Sequence, residues 1–266
     1  MIQIFKNYKH NTRHIYEEPP IEIYNKDYYE NKCGGFETFC HSNGEDLDAV
    51  RQYVLSLCPL QHDYSALDIG CGRGEIVLSL ARTGLPYVLG IDLSDDSINI
   101  SRKVCAQQIE NGQIVIQKMS ATQLELDDKV FDVIYMTDIV EHLSDANLKS
   151  AISEAHRVLK PGGSLVIHTL PTVNYKLYGQ YITKYYFGLK GVEWWTPTSK
   201  EEAALCGHVN IQSKSSLEFY LYESFEAKSV KVFYDVVNSG SALKRLINLL
   251  GLWKIMSPHL WAVATK

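Results

Sequence analysis

From residue 65 onward the chain alternates short apolar runs with amphipathic stretches. The runs at 65–69, 87–91, 114–117, 131–136 and 164–168 are rich in Val, Ile, Leu, Tyr and Phe, and each reads as a buried strand. Between them, 75–82, 97–108 and 146–159 carry apolar residues at helical spacing, and only an irregular piece near 122–126 separates the third strand from the fourth. This alternation predicts βαβ units and an α/β fold, a doubly wound, mostly parallel sheet covered on both faces. Lys160-Pro161-Gly162-Gly163 predicts a helix stop and a turn before the fifth strand, because proline cannot continue a helix and glycine accepts positive φ.

Outside this region the pattern changes. Leu47, Val50, Val54, Leu55 and Leu57 predict a helix over 45–57. Residues 1–44 have no clear period, with Tyr24, Tyr28, Tyr29 and Phe36 gathered around Gly34-Gly35, and are expected to form an extension capping the main domain, 45–266. After the fifth strand, 171–210 is an aromatic-rich insertion. Tyr175, Tyr178, Tyr181 and Tyr185 recur at helical spacing, and Tyr186, Phe187, Trp194 and Trp195 follow. Because it leaves a strand's C-terminal end, it is expected to roof the site as a lid. Regularity resumes with a helix at 215–222, a strand at 229–234, a helix at 242–254 and a last strand in 260–265. The basic amphipathic stretch 243–256 is read as packing on the sheet with its lysines solvated, rather than lying on a membrane.

Composition narrows the partners. A chain of 266 residues suits one α/β domain with insertions, and its net charge of -5 argues against a nucleic-acid partner. The six cysteines include no Cys-x-x-Cys pair, so they read as free thiols in a reducing cytoplasm. The start, MIQIFKNYKH, lacks the apolar core of a signal peptide, and no run reaches membrane-spanning length.

The chemistry concentrates at strand ends. Leu67-Asp68-Ile69-Gly70-Cys71-Gly72-Arg73-Gly74-Glu75 puts a glycine turn between a strand and a helix, where backbone can approach a ligand. Its G-x-G-x-G spacing is not the G-x-G-x-x-G of a pyrophosphate cradle, and Asp68 would repel a phosphate while suiting the positively charged amino acid end of S-adenosylmethionine. Gly90-Ile91-Asp92 ends the next strand at the spacing of an acid that accepts from ribose hydroxyls, and Ser120-Ala121 follows the third, where it would flank an adenine.

Taken in order, 68–75, 90–94, 120–124, 131–143 and 157–163 resemble the motif series of class I S-adenosylmethionine-dependent methyltransferases, in the subgroup acting on small molecules, quinones and glycans. The resemblance covers about residues 45–170. It implies a seven-stranded sheet whose last strand makes an antiparallel hairpin. It also implies Asp68, Gly70, Cys71, Gly72 and Gly74 around the methionine moiety, and Asp92 with Leu93 at the ribose. Ser120 and Ala121 would lie by the adenine, and Met136, Thr137 and Asp138 at the sulfonium end. Apart from the resemblance, Tyr24, Tyr28 and Tyr29 are expected to close over the cofactor as the insertion closes over the acceptor.

The reaction expected is attack by an oxygen or nitrogen of a small-molecule acceptor, planar or apolar, on an electrophilic methyl. His142, just past the fourth strand, is the first candidate base, followed by His168 and His208. Asp138, Glu141 and His142 resemble the Glu-x-x-Glu-His metal site of some small-molecule and RNA-end methyltransferases. The aspartate is one methylene short, so the run is read as a capping acid and a loop salt bridge, with a divalent ion as the alternative. Three other functions stand beside this reading. They are a nicotinamide-dependent oxidoreductase, a nucleic-acid methyltransferase, whose Asn/Asp-Pro-Pro-Tyr and Pro-Cys signatures are lacking, and a non-catalytic cofactor-binding subunit.

Overall fold

A computed structural model describes residues 18–188, 206–234 and 251–266. The predicted strands form one sheet from β1 (Ser65–Ile69), β2 (Tyr87–Asp92), β3 (Ile114–Lys118), β4 (Phe131–Thr137), β5 (Leu159–Thr169), β6 (Val230–Tyr234) and β7 (Leu260–Thr265). Their order is β3-β2-β1-β4-β5-β7-β6. The first five run parallel, and β7 lies antiparallel between β5 and β6. Alternate residues feed two cores, as the two-residue repeat of a doubly covered strand requires. Leu67, Ile69, Leu89 and Ile91 face one side, and Ala66, Val88, Val133 and Tyr135 the other.

The helices are α1 (Phe36–Ser42), α2 (Ala49–Ser56), α3 (Glu75–Arg82), α4 (Asp95–Val104), α5 (Asp145–Val158), α6 (Gln180–Gly188) and α7 (Lys214–Leu221), with short turns of helix besides. Polar caps set several starts. Asp48, Ser94 and Ser144 accept from backbone N–H groups of α2, α4 and α5, and Ser213 makes a capping box on α7. The stretch expected as one helix over 97–108 instead begins at Asp95 behind its serine cap and breaks at Cys105, resuming as Ala106–Glu110.

One expectation changes. Lys160-Pro161-Gly162-Gly163 is not a turn outside the sheet but part of β5, which starts at Leu159. The extra residues are absorbed as a register shift opposite Phe131 and Val133, with Gly162 at φ 82°. They are held by Gly162 N–H to the Lys266 carbonyl (2.8 Å) and Lys266 N–H to that of Gly163 (3.0 Å). In the segment 171–210, expected as a lid, Tyr178, Tyr181 and Tyr185 on and before α6 are 58–71% exposed, His208 lines the central cavity, and 189–205 lie outside the described residues. Gly179 packs on the chain before β7, against the Ile255 carbonyl. Trp194 and Trp195, and most of the helix expected over 242–254, lie outside the described residues. Among the described residues, no helix is long and apolar enough to cross a membrane.

Candidate functional site

A cavity of about 530 Å³ opens at the C-terminal ends of β1, β2 and β4, where the strand order reverses. The glycine turn forms its floor. Gly70 and Cys71 N–H groups both donate to the Ile91 carbonyl (2.8 and 2.9 Å), tying the turn to the end of β2. Gly72, at φ 52°, donates its N–H to Asp92 Oδ2 (3.0 Å), and Ser94 N–H donates to Oδ1 (2.9 Å). The Asp92 carboxylate is thus aimed before any ligand arrives. Burial raises its pKa, and those backbone donors pull the other way.

Asp68 sits deeper. Its side chain is buried and Oδ1 has no partner. Burial pushes its pKa up to about 8, against the lowering pull of Arg51. Arg51, on α2, also lines the cavity and pairs with Asp48 and Glu75. Leu93, Ser120, Ala121, Thr137 and Asp138 line it as well, and the Thr137 hydroxyl is buried without a partner. Gly74, expected at the ligand, is not in the lining. It opens α3 at φ 86°, and a Cβ there would fall 2.9 Å from that of Ser101, so its role is close helix packing.

The opposite wall follows β4. Asp138, with φ 56°, turns its carboxylate to His168 Nδ1 (2.5 Å). Burial would raise the Asp138 pKa, yet His168, by charge and by hydrogen bond, brings it down to about 2. His168, expected to reach the acceptor, is fully buried and not in the cavity lining, its ring tilted against Trp261 with Nε2 3.0 Å from His259 Nδ1. A strand-end residue whose side chain points between the sheet and its neighbours cannot touch a ligand in the cleft.

Glu141, His142 and His208 do line the cavity. Glu141 is fully buried, takes a hydrogen bond from Thr169 Oγ1 on Oε2 (2.7 Å), and leaves Oε1 without a partner. Burial, with the nearby Asp138 charge, raises its pKa to about 7. His142 Nδ1 is 3.1 Å from the Gly207 carbonyl and 3.0 Å from Tyr24 Oη. Burial and the neighbouring His208 lower its pKa to about 3, so it is neutral and a weak base near pH 7.

The segment before α1 closes the remaining side. Tyr24, Tyr28 and Tyr29 all line the cavity, and Tyr24 and Tyr28 stand edge-on to the His142 ring. Arg73, itself 1% exposed, donates to the carbonyls of Tyr29 (2.8 Å), Cys33 (3.3 Å) and Gly34 (2.7 Å) and pairs with Glu75 (2.8 Å). Its guanidinium also lies over the rings of Phe36 and Phe39. Sequence reasoning passed over Arg51, Arg73 and Met119 as site residues. For Arg73 the available signal was a long cation inside a glycine turn; Arg51 and Met119 carried none.

Residues 67–167 match a family model described as a methyltransferase domain. An O-methyltransferase of Pyrenophora dematioidea is 36% identical over 112 residues, covering 42% of this chain and 40% of the relative. A ubiquinone biosynthesis O-methyltransferase of Bartonella tribocorum is 32% identical over 148 residues, covering 53% and 58%. The chain spans about two-fifths of the length of the first curated relatives it matches, 40–44%. Among solved structures, an S-adenosylmethionine-dependent methyltransferase from Mesorhizobium loti superposes with a TM-score of 0.60 at 18% identity, covering 83% of this chain and all of that one. A phosphoethanolamine N-methyltransferase of Haemonchus contortus, solved with S-adenosylhomocysteine, also gives 0.60, at 16% identity over 91% of this chain and 60% of that one.

Proposed function

We propose, for a chain that belongs to the class I S-adenosylmethionine-dependent methyltransferases, that it methylates an oxygen or nitrogen of a small-molecule acceptor. One observation carries the reading: in a single cavity, an unpartnered buried oxygen of Asp68 faces the same space as an Asp92 carboxylate held by two backbone N–H groups. A buried, unsatisfied carboxylate oxygen calls for a cationic donor, and the ammonium of the cofactor's amino acid end is one. Asp92 then takes the ribose hydroxyls, Leu93 lies beside it, and Ser120 and Ala121 border the adenine. Gly70, Cys71 and Gly72 let backbone approach the methionine moiety, and Thr137 and Asp138 border the sulfonium. Bound there, the cofactor supplies an electrophilic methyl group.

The chain's own contribution is alignment, exclusion of water and care of the acceptor's proton. Tyr24, Tyr28 and Tyr29 cover the cavity from outside. The proton falls to the cluster of Glu141, His142 and His208, in which His142, with its depressed pKa, orients rather than abstracts. Aromatic and apolar lining from Tyr24, Tyr28, Leu143 and Leu170 suits a planar or apolar acceptor. Relatives named O-methyltransferases favour oxygen as the atom attacked. The free cysteines support a reducing, cytoplasmic setting.

The test has two steps. S-adenosylhomocysteine should raise the melting temperature and NADH should not. Incubation with S-adenosylmethionine and a panel of phenols, quinols and amines should then add one methyl to an acceptor, read by mass spectrometry. Stabilisation by NADH alone would overturn the cofactor, and cofactor binding with no turnover on any acceptor class would leave a binding subunit.

A further inference from the structure

We propose that the aromatic stripe on α6 and on the turn of helix before it docks on a membrane surface rich in anionic phospholipids. Among the described residues, half of the large hydrophobic side chains left exposed fall within nine consecutive positions, as Leu177, Tyr178, Tyr181, Ile182 and Tyr185. Single exposed apolar residues are ordinary, whereas a contiguous group of them marks a surface with a use. Positions 178, 181, 182 and 185 repeat at helical spacing, so these side chains leave one face of the helix together.

The start of the segment is tied to the chain before β7. Thr172 N–H donates to the Pro258 carbonyl (2.9 Å), Thr172 Oγ1 to that of Ser257 (2.9 Å), and Asn174 Nδ2 to that of Lys254 (3.2 Å). The stripe is therefore held against the sheet and presented outwards, and the short helix Trp253–Met256 packs beside it.

Charge selects the partner. Residues 171–192 and 236–266 hold seven Lys and Arg and no acid, so all 31 acidic residues of a chain with net charge -5 lie elsewhere. Lys184 stands within the stripe and Lys254 on the neighbouring short helix, both exposed. An anionic surface attracts this face and repels the acidic remainder, which sets the orientation of docking. Tyrosine suits the same boundary, with its ring at the acyl-chain ends and its hydroxyl among the headgroups. Lysine within the stripe counts against a protein partner, because lysine is depleted from protein–protein interfaces. At a bilayer its stem lies along apolar surface while its ammonium reaches the phosphates. Among the described residues no helix is long and apolar enough to cross a membrane, so the contact proposed is a helix lying in the interface.

Flotation of the full chain with lipid vesicles tests this without cofactor or acceptor, so its outcome is independent of the methyl-transfer reading. Phosphatidylcholine vesicles containing about one-third phosphatidylglycerol should bind the chain at least tenfold more tightly than phosphatidylcholine alone, and high salt should shrink the difference. Tyr178→Ala with Tyr181→Ala, and separately Lys184→Glu with Lys254→Glu, should each weaken binding to the anionic vesicles tenfold or more, with the folds checked by circular dichroism. Lys103→Glu should leave binding unchanged, because that exposed lysine lies on α4, packed on β2 and β3 at the far edge of the sheet from β7. No binding of the folded native chain to anionic vesicles, unaltered binding in either double variant, or an equal loss in Lys103→Glu overturns the proposal. A concentration-dependent dimer in light scattering that Tyr178→Ala with Tyr181→Ala dissolves would assign the stripe to a second copy of the chain, and overturns it as well.

Discussion

Asp68 is a carboxyl whose protonation is coupled to its proposed ligand. With burial lifting its pKa to about 8, it is mostly neutral at pH 7 in the open cavity. An ammonium placed against it lowers that value, so binding should release a proton. Calorimetry of S-adenosylhomocysteine at pH 7, in buffers of different ionisation enthalpy, should register release approaching one proton per chain, and Asp68→Asn should abolish it. Binding with no proton exchange would mean that the carboxyl does not meet the ammonium. Stability shares the sign. The folded value lies above the unfolded one of about 3.9, so this contribution is full below the unfolded value and lost as pH rises through about 8. Denaturant melts should therefore find Asp68→Asn gaining on the native chain between pH 5 and pH 9. Asp92 differs, because its donors already aim it. Asp92→Ala removes charge-assisted bonds of roughly 1.5–3 kcal/mol each. Cofactor affinity should drop at least tenfold while the fold survives. Both acids were legible in the sequence because each is fixed locally, by a glycine turn or a strand end. The pairing of Glu141 and His142 with His208 was not, since a loop distant in sequence delivers the third residue.

At the scale of elements, legibility follows how locally each is determined. α3 has its predicted bounds because a glycine turn starts it and an apolar face carries it. The start of β5 was misread because Pro161, Gly162 and Gly163 have turn chemistry, while pairing with Lys266, at the far end of the chain, keeps them in the sheet. The insertion is less legible, because tyrosines at helical spacing describe a face without saying what covers it. Tyr178 and Tyr181 are 58% and 62% exposed, so replacing both with alanine should change stability by no more than about 0.5 kcal/mol per site. If the insertion is a lid, the same double substitution should raise the acceptor KM or lower kcat while cofactor affinity stays within a few-fold. An unchanged acceptor KM and kcat would overturn the lid. Arg73 makes the opposite case. Buried, it holds three carbonyls and Glu75, and Arg73→Met removes its bonds to all four, leaving Glu75 only the longer pairing with Arg51, at a cost of about 3–5 kcal/mol. Limited proteolysis should then cut within 18–36 much faster than in the native chain, while β1 to β5 stay protected.

At the scale of the whole molecule, strand order and cover give the cavity its place and its access route. The order β3-β2-β1-β4-β5 reverses direction at β1, and the ends of β1, β2 and β4 diverge there to leave a cleft. The sheet behind it is pinned by two cores, but the cover in front is the segment before α1, which adds little to either core. Arg73 anchors its later part at the Tyr29, Cys33 and Gly34 carbonyls, and polar bonds at two margins hold the earlier part. Ser94 Oγ donates to the Tyr24 carbonyl, and Lys26 N–H donates to Asp96 (2.9 Å) on one side. Glu18 accepts from Ser144 N–H and Asn147 on the other. Tyr24, Tyr28 and Tyr29 line the cavity between these margins, so lifting the part before Tyr29 would widen the way in for a cofactor. That movement breaks a few hydrogen bonds at the molecule's edge and leaves the sheet and the Arg73 anchor intact, which puts it among the low-energy openings of the fold. Amide exchange in residues 21–28 should therefore be faster than in β1 and β4 without ligand, and should slow at least tenfold on adding S-adenosylhomocysteine, while exchange in β4 is unchanged. Exchange over 21–28 that is as slow as in β4 before ligand is added would make the segment fixed structure.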